Sequence, residues 1–180
     1  MTYTLQLLHA SDLEGSVDAI GKAPNFAALV DKLEDAAGID ASVTLSAGDN
    51  YISGPFFSAA GDPSLRAPLN AAYNALFGLS GDAAYSDLRE APGRVDISIM
   101  NIVGFDASAL GNHEFDLGTG VVREILAPDF RAAGLADDRW VGSQFPYLSA
   151  NLDFSADPNL ASLFTADILP NTAFESGPDQ

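Results

Sequence analysis

The chain contains no cysteine, which excludes disulfides, thiolate zinc sites and thiol nucleophiles. Basic residues are scarce. Only 8 Lys and Arg stand against 25 Asp and Glu, giving a formal net charge of −17. Nucleic-acid polymers are held by clustered Lys and Arg on the phosphate backbone, so binding to them is not expected. No apolar run reaches the roughly 18 residues that a membrane-spanning helix needs. The opening Met1-Thr2-Tyr3-Thr4 carries no basic segment before an apolar stretch, so no secretory leader is expected within it. The protein is then cytoplasmic, or extracellular or periplasmic if a leader has been removed. Histidine is limited to two residues, His9 and His113.

What is present is ample apolar material. Of 180 residues, 47% are hydrophobic, with eleven Phe and five Tyr, enough to exclude a disordered acidic chain. The length fits one domain or a large piece of one. The acid excess points to a strongly solvated surface or to cation binding.

Thr4 to Ala10 is short and apolar, and reads as a buried strand. From Pro24 to Ala37, Phe26, Leu29, Val30 and Leu33 recur at helical spacing, with Pro in the first turn and Gly38 as the stop. Ser42 to Ala47 is a second strand. Tyr51 to about Pro63 is rich in Gly, Pro, Ser and Phe and reads as a long ordered loop. Ala67 to Phe77 looks helical, and Gly78 to Gly93 is a polar connection. Val95 to Gly104 fits strand or helix by periodicity alone. Phe105 to Leu110 reads as a strand, about Gly118 to Phe130 as a helix and Pro146 to Leu152 as a strand. From Asp153 onward there is little periodicity. The resulting fold class is α/β, with a largely buried sheet.

Ligands in such folds bind beyond the carboxyl ends of the strands. Three polar clusters sit at three such ends: Asp12 with Glu14, Asp49 with Asn50, and Asn112 with His113. Alternate residues of an extended turn point the same way, so Asp12 and Glu14 can reach one ion together. Three neighbouring carboxylates repel unless a cation lies between them. Asp49 is the central candidate to bridge two metals, which would clamp a phosphate and acidify a water. Glu114 reads as structural, bonding backbone or a neighbouring loop. His9 reads as a packed core histidine. Tyr51, Phe56 and Phe57 read as packing beneath the long loop, and Asn50 as a turn or cap residue.

The strings LLHASDLEG, LSAGDNYISG and ALGNHEFD, in that order, resemble three N-terminal signatures of the calcineurin-like metallophosphoesterases. The resemblance is to the 5′-nucleotidase-like branch. FPYLSANL, Phe145 to Leu152, is similar to the strand that follows there. It covers roughly residues 4–152. It implies a layered metallophosphoesterase-type α/β sandwich, two divalent metal ions (Mn, Mg, Zn, Fe or Ca) and a small phosphoester substrate, nucleotides foremost. It implies Asp12 as ligand of the first metal, Asp49 as bridge, and Asn112 as ligand of the second metal in touch with the phosphate. His113 would protonate the leaving group or stabilise the transition state, oriented by Asp116. The implied reaction is hydrolysis of a phosphomonoester by metal-activated water.

Two departures accompany the resemblance. The first signature has His where this chain has Glu14, a harder and charged donor that favours Mn, Mg or Ca if it ligates. The family's later His-bearing strands and its substrate domain have no counterpart in residues 1–180. These residues are therefore expected to be the N-terminal part of a catalytic domain whose C-terminal half is absent. The competing reading is a non-catalytic descendant whose acidic surface binds cations or a partner. A calcium-binding surface module is the third, and no EF-hand spacing supports it. The sequence assigns no oligomeric state.

Overall fold

The computed structural model describes residues 2–15, 17–131 and 134–165. Four parallel strands lie in the order β1-β2-β3-β4: β1 Leu5–Ala10, β2 Ala41–Ser46, β3 Ala107–Ala109 and β4 Tyr147–Leu148. The helices are α1 Val17–Glu34, α2 Pro55–Ala59, α3 Arg66–Leu76, α4 Arg94–Val103, α5 Thr119–Leu126 and α6 Pro158–Thr165. The fold is α/β, a single parallel four-stranded sheet with helices between its strands.

The strand order has a physical consequence. Parallel strands added in one direction, each through a right-handed crossover, place the crossover helices on one face of the sheet. Burial follows that sidedness. Residues Leu5, Leu7 and His9 of β1 are exposed while Gln6, Leu8 and Ala10 are half-buried. Register sets Leu7 beside Val43 and Leu8 beside Thr44, so the two faces continue into β2. Thr44, Ser46, Ser108 and Tyr147 line the covered face and are buried. On the other face Leu5 and Leu7 remain 59% and 63% exposed, and Leu148 at the far edge is also exposed. β1 is therefore not the fully buried strand its apolar sequence predicts, and His9 stands on the open face rather than in the core.

The core lies between the covered face and the helices, around Tyr73, Leu88, Ile97, Val122, Trp140 and Phe145. Val95 to Gly104, ambiguous by periodicity, is helix α4. It runs between two left-handed glycines, Gly93 (φ 78°) and Gly104 (φ 88°), which set its ends. α1 begins seven residues earlier than the Pro24 start predicts, so Pro24 lies inside it and leaves the Ile20 carbonyl without its helical donor. The loop from Tyr51 to Pro63 contains the short helix α2, started by Pro55. The strand expected over Pro146 to Leu152 shrinks to Tyr147–Leu148, and α6 forms in the stretch from Asp153, where Asp157 accepts from the backbone N–H groups of Asn159 and Leu160. Residues 166–180, part of that last stretch, lie outside the described residues.

Candidate metal centre

The site forms where the chain leaves β1, β2 and β3. After β1, the Asp12 backbone N–H donates to the Gly48 carbonyl at 3.2 Å, tying the first loop to the second. After β2, Gly48 turns with φ 99°, and a Cβ there would lie 2.8 Å from Gly111 Cα. Gly111 returns the constraint: its Cβ would lie 2.5 Å from the Asp49 nitrogen and 2.7 Å from Asp49 Cγ. Only paired glycines allow the second and third loops into backbone contact. That contact brings Asp49 to Asn112 and His113.

Asp12 (φ 53°) and Asp49 (φ 51°) are the two non-glycine residues with left-handed backbone among the described residues. Asp tolerates this region better than most residues, yet it still costs energy there. Such strain persists where surrounding structure over-determines it, and it concentrates at functional sites. Both strained residues belong to the constellation picked out in the sequence.

Glu14, Asp49 and His113 each offer a ligand atom, and these atoms lie within 4.8 Å of one another. His113 Nε2 is 3.5 Å from Glu14 Oε1, and its Nδ1 is 2.8 Å from Asp116 Oδ2. The His113 backbone N–H donates to Asp49 Oδ1 at 2.7 Å, fixing that carboxylate. The hydrogen bond with Asp116 raises the imidazole pKa above its ordinary value, with Asp49 and Glu14 adding in the same direction. Asp12 is exposed on the first of these loops, and Asn112 is exposed on the third, next to His113. The two carboxylates suit a hard divalent cation, and the imidazole stands within reach of whatever that cation holds.

Behind the site, Glu114 is only 1% exposed. Its Oε1 accepts from the Asn50 N–H at 2.7 Å, and its Oε2 from Asp49 N–H at 3.0 Å and Gly111 N–H at 2.6 Å. Burial raises its pKa, against the three backbone donors that favour the charged form. This is the structural role expected of Glu114, made specific: it clamps the second loop to the third. Asn50 is more than a turn residue. Buried, it accepts from Ser46 Oγ and donates to Ser108 Oγ (2.8 Å) and Tyr147 Oη (3.0 Å), joining β2, β3 and β4. Tyr51 and Phe57 pack against each other in the core, as their composition predicts.

Known proteins are similar to this chain over its N-terminal part. The trifunctional nucleotide phosphoesterase protein YfkN of Bacillus subtilis is 38% identical over 71 residues, 39% of this chain and 5% of that protein. The snake venom 5′-nucleotidase of Gloydius brevicauda is 36% identical over 88 residues, 49% of this chain and 12% of the relative. The 5′-nucleotidase of Mus musculus is 38% identical over 78 residues, 43% of this chain and 11% of the relative. The matched stretch is thus a small fraction of each of these relatives. No family profile and no solved structure matches the chain. Over this part the chain is similar to proteins named as nucleotide phosphoesterase and 5′-nucleotidase.

Proposed function

We propose that the chain is the N-terminal part of a divalent-metal-dependent phosphoesterase that hydrolyses phosphomonoesters, nucleotides foremost. The observation that carries the reading is the convergence of Glu14, Asp49 and His113 on loops where Asp12 and Asp49 are held in left-handed backbone. Relatives named as nucleotide phosphoesterase and 5′-nucleotidase favour a nucleotide substrate.

Asp12, Glu14, Asp49 and Asn112 would hold the metal ions, with Asp49 between two of them. Divalent cations supply positive charge for the phosphate and lower the pKa of water. The chain's own residues do the rest. Asp49 is fixed by the His113 N–H, so the ligand and the acid are set by one contact. Asp116 engages Nδ1 of His113, which leaves Nε2 facing the side of Glu14. A raised imidazole pKa keeps a proton available at Nε2 for a leaving alkoxide.

The alternative, a non-catalytic cation-binding descendant, is favoured by Glu14, which adds negative charge where the family has a neutral donor. Nucleotide hydrolysis with Mn2+, measured on residues 1–180 and on a polypeptide continuing past Gln180, separates the two. The short chain is expected to turn over poorly and the longer one well. Mn2+ bound without turnover by the longer polypeptide supports the alternative. Failure of both to bind Mn2+ overturns the metal-centre reading.

A further inference from the structure

We propose that Asp96, in the first turn of α4, is a positioning residue for the Asp12–Gly15 loop and sets the place of Glu14 at the candidate metal centre. The inference rests on the phosphoesterase reading above and adds a residue that neither the signatures nor the constellation contains. Asp96 is far from Glu14 in sequence, and it is only 5% exposed. The Gly15 backbone lies directly against its carboxylate. A Cβ at Gly15 would collide with Asp96 Oδ1 and with the Phe56 ring, so glycine there permits the close approach. Gly15 directly follows Glu14, and the bond from Asp12 N–H to the Gly48 carbonyl anchors the other end of the same loop. Glu14 is thereby suspended between two fixed points.

The carboxylate is costly where it lies. It lines a cavity of about 230 Å³ together with Leu13, Lys22, Phe26, Met100 and Phe105. Burial pushes its pKa up to about 7, opposed by its own backbone N–H and by the backbone of Gly15. A buried acid facing an apolar cavity is expensive for a residue that only starts a helix, because an exposed acid serves the helix dipole equally well.

The test is Mn2+ titration of the 180-residue chain and its variants, with circular dichroism as the check on folding. Asp96→Leu is expected to weaken Mn2+ binding about 10- to 100-fold, the usual range for groups that orient ligands. Asp96→Asn retains an acceptor of the same size and should restore most of the affinity. Gly15→Ala breaks the contact from the other side and should reproduce the loss, and it decides the matter if Asp96→Leu fails to fold. In a Glu14→Gln background, Asp96→Leu should cost little more, since both act through one side chain. Unchanged Mn2+ affinity in folded Asp96→Leu or Gly15→Ala overturns the proposal, as do losses that add fully in the double variant. Asp49→Ala distinguishes the two levels. If it binds Mn2+ like the parent, the metal centre itself is wrong. If it loses Mn2+ while Asp96→Leu does not, only the positioning role falls.

Discussion

The Glu114 carboxylate lies 2.7 Å from the backbone nitrogen of Asn50, a residue 64 positions earlier in the chain. The same carboxylate accepts from Asp49 and Gly111. One buried acid therefore holds together the two loops that carry Asp49 and His113. Replacing it by Ala leaves three backbone donors without their acceptor. Each buried unsatisfied donor costs about 1–3 kcal/mol, so Glu114→Ala should destabilise the chain by at least about 3 kcal/mol in urea unfolding. Glu114→Gln keeps one acceptor oxygen and should cost less. A loss below about 1 kcal/mol in Glu114→Ala would show that the clamp is not needed.

Asp49 and His113 separate by role. Asp49→Ala should lose Mn2+ binding and turnover together. His113→Ala should keep metal binding largely intact and lower turnover by on the order of 10²–10⁴-fold, as for removal of a general acid. Metal titration of both variants decides this. If His113→Ala loses metal as completely as Asp49→Ala, the imidazole is a ligand.

Stability should depend on pH through Asp96. Its carboxyl titrates near 3.8 when exposed and at about 7 in the fold, so the folded state holds the proton more tightly. The stabilisation is complete below the exposed value and is lost as pH rises through about 7. Urea unfolding from pH 4 to 8 should show the parent losing on the order of 3–4 kcal/mol relative to Asp96→Asn. Parallel profiles for the two proteins would contradict the burial of an ionisable acid at this position.

The two faces of β1 should respond differently. Leu7 is 63% exposed, while Leu8 packs partly against the core. Leu7→Ala should cost under about 1 kcal/mol, and Leu8→Ala about 2–4 kcal/mol. Equal costs would mean that the outer face is covered in solution.

The sequence by itself determined the α/β class, the alternation of strands and helices, and the positions of the polar clusters after β1, β2 and β3. These depend on local periodicity and on residue types that turn chemistry demands, both of which a linear chain displays. Gly48 and Gly111 were visible as glycines, but their reason was not: each makes room for the other's loop across 63 positions. The left-handed backbone of Asp12 and Asp49, the burial of Glu114 and the contact between Asp96 and Gly15 were decided only by the tertiary structure. So was the exposure of His9 and Leu7, because an apolar strand reads the same whether one face or both are covered. Which face of a strand meets a partner, and which distant N–H a buried carboxylate accepts from, are set by packing between segments far apart in the chain. No local pattern encodes them.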